Sequence, residues 1–195
     1  MSETLTLVTP GPLARTAQAI TARLQLAFPP GKFQHALVPA KLNEKTLMQM
    51  SVKTPYVGLG WNVVEGDKDS SRLFRGETHW TVFLLTKNAA GVAHRYFGDK
   101  QGPGLFTMVE ACTAVLHGWT EPGLGTAFVE RAGNLYAEGW DADGLAMAGV
   151  DFTITYTLPA GEILAGAASD PLATLGIDWA FNGIDFTETI TRTAA

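Results

Sequence analysis

Hydrophobic positions along this chain follow two periods in turn. Over residues 11–28, Leu13, Ala17, Ile20, Leu24 and Phe28 recur at helical spacing, with Arg15, Gln18 and Arg23 between them. That spacing predicts an amphipathic helix. Pro12 stands near its start, where a missing N–H costs nothing, and Pro29-Pro30-Gly31 ends it. A shorter helix is predicted over residues 41–50. The period then changes to two. Val57, Leu59, Trp61 and Val63 alternate with Gly58, Gly60 and Asn62, which predicts a strand with small residues on one face. Residues 65–77 read as a charged loop. Residues 79–86, with Trp80, Val82, Phe83, Leu84 and Leu85, are nearly continuously apolar, as expected of a central strand covered on both faces.

Gly102-Pro103-Gly104 opens the strongest helical pattern. Leu105, Met108, Val109, Cys112, Val115, Leu116 and Trp119 keep the helical template, and Gly118 closes it. Residues 127–137 and 145–158 then predict a hairpin joined by Trp140-Asp141-Ala142-Asp143-Gly144. In its second arm Val150, Phe152, Ile154, Tyr156 and Leu158 alternate with Asp151, Thr153, Thr155 and Thr157, so one face packs and the other meets water or a partner. A Gly/Ala-rich stretch follows from Pro159. Beyond it, Leu175, Ile177, Trp179 and Phe181 alternate up to Asn182-Gly183, and Ile184, Phe186 and Ile190 follow. Asn-Gly between alternating runs signals a hairpin, because both residues tolerate positive φ. A two-residue turn sets Phe181 opposite Ile184 and Trp179 opposite Phe186.

These elements predict an α/β protein of the α+β type, with a mainly antiparallel sheet of about four strands flanked by helices, plus a C-terminal β-hairpin arm. The expected organisation is a domain over residues 1–159, a linker over 160–174 and the arm over 175–195. An isolated hairpin is marginal in water. The apolar face carrying Trp179, Phe181, Ile184 and Phe186 is therefore expected to be an interaction surface, on its own subunit or on a neighbour.

Composition narrows the classes. With 46% hydrophobic and 17% charged residues, the chain suits a folded globule. A net charge of −5 repels phosphate backbones and argues against sequence-specific nucleic-acid binding. The single cysteine, Cys112, makes no internal disulfide. Residues 1–10 lack the basic start and apolar core of a signal peptide. No apolar run reaches the length of about eighteen residues that a membrane helix needs. A cytoplasmic setting without membrane partners is expected.

The candidates for chemistry are weak. Cys112 and His117 are the nearest thiol–imidazole pair, but at about 100° per residue they lie roughly 140° apart on a helix, and Cys112 belongs to the apolar stripe. Asp141 and Asp143 with Gly144 resemble the start of a calcium loop but lack its later ligands. Gly102-Pro103-Gly104 lacks the Lys-Ser/Thr of a phosphate loop. His35, His79, His94 and His117 show no metal-ligand spacing, and Asp67 and Asp69 read as solvated charge. No catalytic residue, metal site or cofactor is expected.

One likeness covers residues 10–159. An N-terminal amphipathic helix precedes Thr-Pro-Tyr-Val-Gly-Leu-Gly-Trp at 54–61 and His-Trp-Thr-Val-Phe-Leu-Leu-Thr-Lys-Asn at 79–88. Gly-Leu-Phe-Thr-Met-Val-Glu-Ala-Cys-Thr-Ala-Val-Leu-His-Gly-Trp follows at 104–119, and Asp-Phe-Thr-Ile-Thr-Tyr-Thr-Leu-Pro at 151–159. This order resembles the Mu-type phage tail terminator family, neck proteins of contractile-tailed phages and prophages. The resemblance implies a non-catalytic ring homo-oligomer, a hexamer, that caps the tail tube, ends its growth and prepares the tail for head joining. Its implied partners are further copies of itself, the tail tube protein, and sheath and head-neck proteins. Its implied place is the virion tail, assembled in the bacterial host cytoplasm. Other neck, tail-completion or baseplate adaptors are the near alternatives, and an enzyme or small-ligand-binding domain is the distant one.

Overall fold

The computed structural model describes residues 6–7, 10–39, 44–68, 73–100, 102–135, 144–158, 164–165, 174–181 and 184–191. The chain divides into two compact units. The larger is Pro10–Leu158, and the smaller joins Met1–Thr9 to Pro159–Ala195.

In the larger unit, helix α1 spans Pro12–Ala27 with Gly11 as its N-cap and Pro12 in its first turn. It buries Pro12, Thr16, Ile20 and Leu24. These residues repeat every fourth position and so form one stripe. Thr16 fits this stripe because its hydroxyl donates to the Pro12 carbonyl at 3.0 Å. Helix α4, Leu105–Leu116, buries Leu105, Met108, Cys112 and Leu116. The two helices meet side by side, and the Arg23 Nε donates to the Val115 carbonyl at 2.8 Å while its guanidinium lies over Trp119.

The sheet is where the sequence reading needs correction. The expected mainly antiparallel sheet of about four strands is instead a mixed sheet of six, curled into a half-barrel. After the two-residue β1 of the smaller unit, Thr6–Leu7, its strands are β2 (Gln34–Pro39), β3 (Tyr56–Gly66), β4 (Phe74–Lys87), β7 (Thr120–Glu121), β8 (Gly125–Asn134) and β9 (Leu145–Leu158). Their spatial order is β2-β3-β4-β9-β8-β7. Strand β2 runs parallel to β3, with helix α2 (Glu44–Ser51) in the connection, and the other pairs are antiparallel. The two added strands lie at the sheet's ends. Edge strands need no continuous apolar run, and β2 shows none: its burial alternates irregularly and it stops on Pro39. Strand β7 is too short to show a period. The expected loop at 65–77 also shrinks, because β3 runs on to Gly66 and β4 begins at Phe74.

Strands β4 and β9 form the axis of the sheet and pair along their whole length, from Phe74↔Leu158 to Lys87↔Leu145. Irregular register between Trp61 and Val63, and between Val129 and Arg131, bends the outer strands. One face packs Trp80, Val82, Leu84, Val150, Phe152 and Ile154 beneath α1 and α4. On the opposite face, Leu47 and Met50 of α2 cluster with Tyr56, Phe83, Leu85, Leu145 and Met147 at one end. The central run in β4 is thus covered on both faces, as its continuous apolarity required. Helix α3, Val92–Phe97, and a two-strand clip of β5 (Gly98–Asp99) with β6 (Gly102–Pro103) complete this unit.

In the smaller unit, β1 pairs antiparallel with β10, Leu164–Ala165, a strand within the stretch read as a linker. Strands β11 (Thr174–Phe181) and β12 (Ile184–Thr191) pair antiparallel from Thr174↔Thr191 to Phe181↔Ile184.

Candidate interaction surface

The C-terminal hairpin has the register that Asn-Gly implied: Phe181 is opposite Ile184 and Trp179 opposite Phe186. Alternation along each strand places these four residues on one face of the ribbon. Asn182 and Gly183 themselves lie outside the described residues, as do Asp69 and, in the expected turn before Gly144, Asp141 and Asp143.

Large apolar side chains are exposed at several places on the larger unit, Leu26, Trp61, Val63, Phe74 and Phe128 among them, and two of these places adjoin a groove or an aromatic cluster. The first is the β2 edge of the sheet with α2. Leu37 is 68% exposed, and Met48 and Val52 are exposed nearby. Between β2 and α2 runs a groove of about 410 Å³, lined by His35, Leu37, Val38, Gln49, Lys53 and Tyr56 among others. His35 is fixed there by its Nε2–H, which donates to the Phe28 carbonyl at 2.7 Å. The second place is the junction of α3 and α4. Phe97, 74% exposed, meets Phe106 edge-on at 5.4 Å between ring centres, and Tyr96 meets Phe106 at 5.2 Å. Sequence reasoning missed both places. Phe106 stood outside the buried helical stripe, and that position was the available signal.

A polar row crosses the sheet on the face opposite α1 and α4. Asn62 donates to the Thr81 hydroxyl, which donates to Asp151, which also accepts from Arg131. A third feature is a small cleft of about 80 Å³ lined by Thr86, Asn88, His94, Arg95, Asp99 and Pro103 among others. Arg95 is buried there and its Nη1 donates to the Leu145 carbonyl at 3.3 Å. Asn88 donates to Asp99 at 2.8 Å, and His94 Nδ1 lies 3.6 Å from the same carboxylate. This volume holds about two or three waters, well short of the roughly 300 Å³ at which small-molecule pockets begin.

The structure separates the candidate chemical groups. Cys112 is fully buried, and burial pushes its thiol up to about 12. His117 caps the end of α4, accepts the Val129 N–H at Nδ1 and lies tilted against Phe128, with ring centres 4.8 Å apart. Gly104 is the α4 N-cap, and a Cβ there would collide with the backbone of Gly98 and Tyr96. Close backbone packing therefore explains the glycine. His79 on β4 lies 3.6 Å from Glu65 on β3, and β3 separates it from His35's strand, β2. Among the described residues no three His, Cys, Asp or Glu side chains are placed to hold a metal ion, and no helix is long and apolar enough to cross a membrane.

No protein-family model matches this chain, and no curated protein matches it.

Proposed function

We propose that this protein is a structural subunit of a contractile phage tail or tail-like particle, which assembles with its own copies into a ring on the end of the tail tube and stops its growth. The observation that carries this reading is the pair of separate apolar patches on the larger unit, Leu37 with Met48 and Val52, and Phe97 with Phe106. Contacts between two different patches on identical copies are head-to-tail, and they close into a ring when the rotation permits. The order of elements from α1 to β9 supports the assignment to a tail terminator, with the correction that the sheet is larger than expected. The tail tube protein is the proposed binding partner, with sheath and head-neck proteins adjoining. The function is one of binding throughout, and no catalytic step is invoked.

Light scattering coupled to size exclusion, with and without tube protein, tests this reading. A closed oligomer of one size, formed alone or on tube ends, is expected. A monomer at high concentration that also fails to bind tube protein overturns it.

A further inference from the structure

The charge of this chain is divided unevenly. The smaller unit carries Glu3, Glu162, Asp170, Asp178, Asp185 and Glu188 against Arg192 alone, which is six acidic residues against one basic residue, or −5. The larger unit carries thirteen of each sign and is neutral, so the whole net charge of −5 sits in the smaller one. Within the hairpin, β11 contributes Asp178 and β12 contributes Asp185 and Glu188, with no Lys or Arg in either strand. The larger unit is uneven in the opposite sense. From residue 29 to residue 55, the stretch that holds β2 and α2, it carries Lys32, Lys41, Lys45 and Lys53 against Glu44. Lys53 lines the groove beside β2, and Lys32 is exposed just before that strand.

Strand β2 also stands at the end of the sheet order, so no described strand pairs with its outer edge. An open edge presents unpaired N–H and C=O groups that template the addition of a strand. Edge addition takes its affinity from main-chain hydrogen bonds and its specificity from adjacent pockets. Here the adjacent pocket is the β2–α2 groove with exposed Leu37.

We propose that β12 of one copy adds to the β2 edge of a neighbouring copy, bringing its two acidic residues, Asp185 on one face of the strand and Glu188 on the other, to the lysine-rich stretch around β2. This rests on the ring reading and adds a contact to it, at the patch that holds Leu37. Between β11 and β12, the second holds more acidic residues, and no described strand pairs with its outer edge. Attraction between the two regions steers the encounter and sets the orientation, and the backbone ladder holds it.

The test uses the full chain. One copy carries Leu37→Cys, and a differently tagged copy carries a single cysteine placed in turn at each position from 184 to 191. Buried Cys112 leaves the introduced thiols as the reactive ones. A disulfide between the two tagged chains is expected at alternating β12 positions. Reversing Lys32 and Lys53 to Glu is expected to weaken association by about tenfold at low salt, and reversing Asp185 and Glu188 to Lys in the partner to restore most of it. If a closed oligomer forms and no β12 position cross-links to Leu37→Cys, the docking is wrong and the ring reading stands. If a chain carrying both cysteines links only to itself at high dilution, the hairpin covers its own groove and the docking is again wrong. If no oligomer forms alone or on the tube, both fail.

Discussion

Thr81 and Asp151 lie directly opposite each other on β4 and β9, and the Thr81 hydroxyl donates to Asp151 Oδ1 at 2.6 Å. The other carboxylate oxygen accepts from Arg131 Nε at 3.1 Å and Nη2 at 2.7 Å, while Asn62 Nδ2 donates to Thr81 at 3.0 Å. Four neighbouring strands are thereby tied on the face opposite α1 and α4. The two ends of this tie differ in worth. Asp151→Ala removes three hydrogen bonds and strands the nearly buried Thr81, so a loss of about 1–3 kcal/mol is expected. Arg131→Ala removes a side chain that is 80% exposed, and a loss of no more than about 0.5 kcal/mol is expected. Urea denaturation of the two variants checks this, and equal losses would contradict it.

Cys112 yields a prediction about alkaline stability. Burial raises the folded thiol from its ordinary 9.0 to about 12. Above pH 9 the unfolded chain releases this proton and the folded chain keeps it, so the unfolded state binds fewer protons and stability falls as pH rises. The fall approaches about 1.4 kcal/mol per pH unit between these two values. Cys112→Val keeps an apolar side chain of similar volume, and a cost under about 1.5 kcal/mol at pH 7 is expected. Comparing melting temperatures of the two proteins from pH 7 to 10.5 is the check. The wild type should lose more stability than the variant above pH 9. A variant that folds normally yet fails to assemble would give the thiol a chemical role.

Gly125 opens β8 at a φ of +135°, and a Cβ there would collide with the Thr155 backbone carbonyl. Both the backbone conformation and the space demand glycine. Gly125→Ala is expected to destabilise the protein by about 1–3 kcal/mol, read as a lowered thermal midpoint. Gly133→Ala serves as the control, because a Cβ there meets nothing within 4 Å.

The exposed pair Phe97 and Phe106 should matter to assembly and not to folding. Phe106→Glu is expected to leave stability within about 0.5 kcal/mol of wild type and to abolish or strongly weaken oligomer formation. Circular dichroism melting and light scattering on the same samples separate the two effects. Unchanged assembly would remove this patch from the proposed interface.

Elements whose burial is one-sided and long were legible before the structure. The α4 stripe from Leu105 to Leu116 follows from a single buried face, and β9 keeps its alternation from Val150 to Tyr156 except at Thr153, which is buried on the other face. The hairpin register at Trp179 and Phe186 was legible because a two-residue turn leaves one pairing. In α1 the stripe was displaced by one position: Pro12 and Thr16 are buried where Leu13 and Ala17 were expected, and the latter pack partly against the same core. A threonine that satisfies its own hydroxyl within the helix does not register as apolar. Strand β2 was illegible because its pairing depends on β3, and an edge leaves its side chains little to bury. Arg95 was illegible for a related reason, since only the fold brings the Leu145 carbonyl to its guanidinium. The groove beside β2 joins residues from a strand and a helix that share no common period.

The central ladder also bears on how the chain reaches this structure. Its nearest pair in sequence, Lys87 and Leu145, still brackets α3, α4 and the whole of β8, and its far pair joins Phe74 to Leu158. Closing such a loop loses chain entropy before any pairing is gained. Refolding is therefore expected on the slow side for a single domain, in milliseconds to seconds. During synthesis, β3 and β4 must wait as an unfinished sheet with an apolar edge until β9 has left the ribosome.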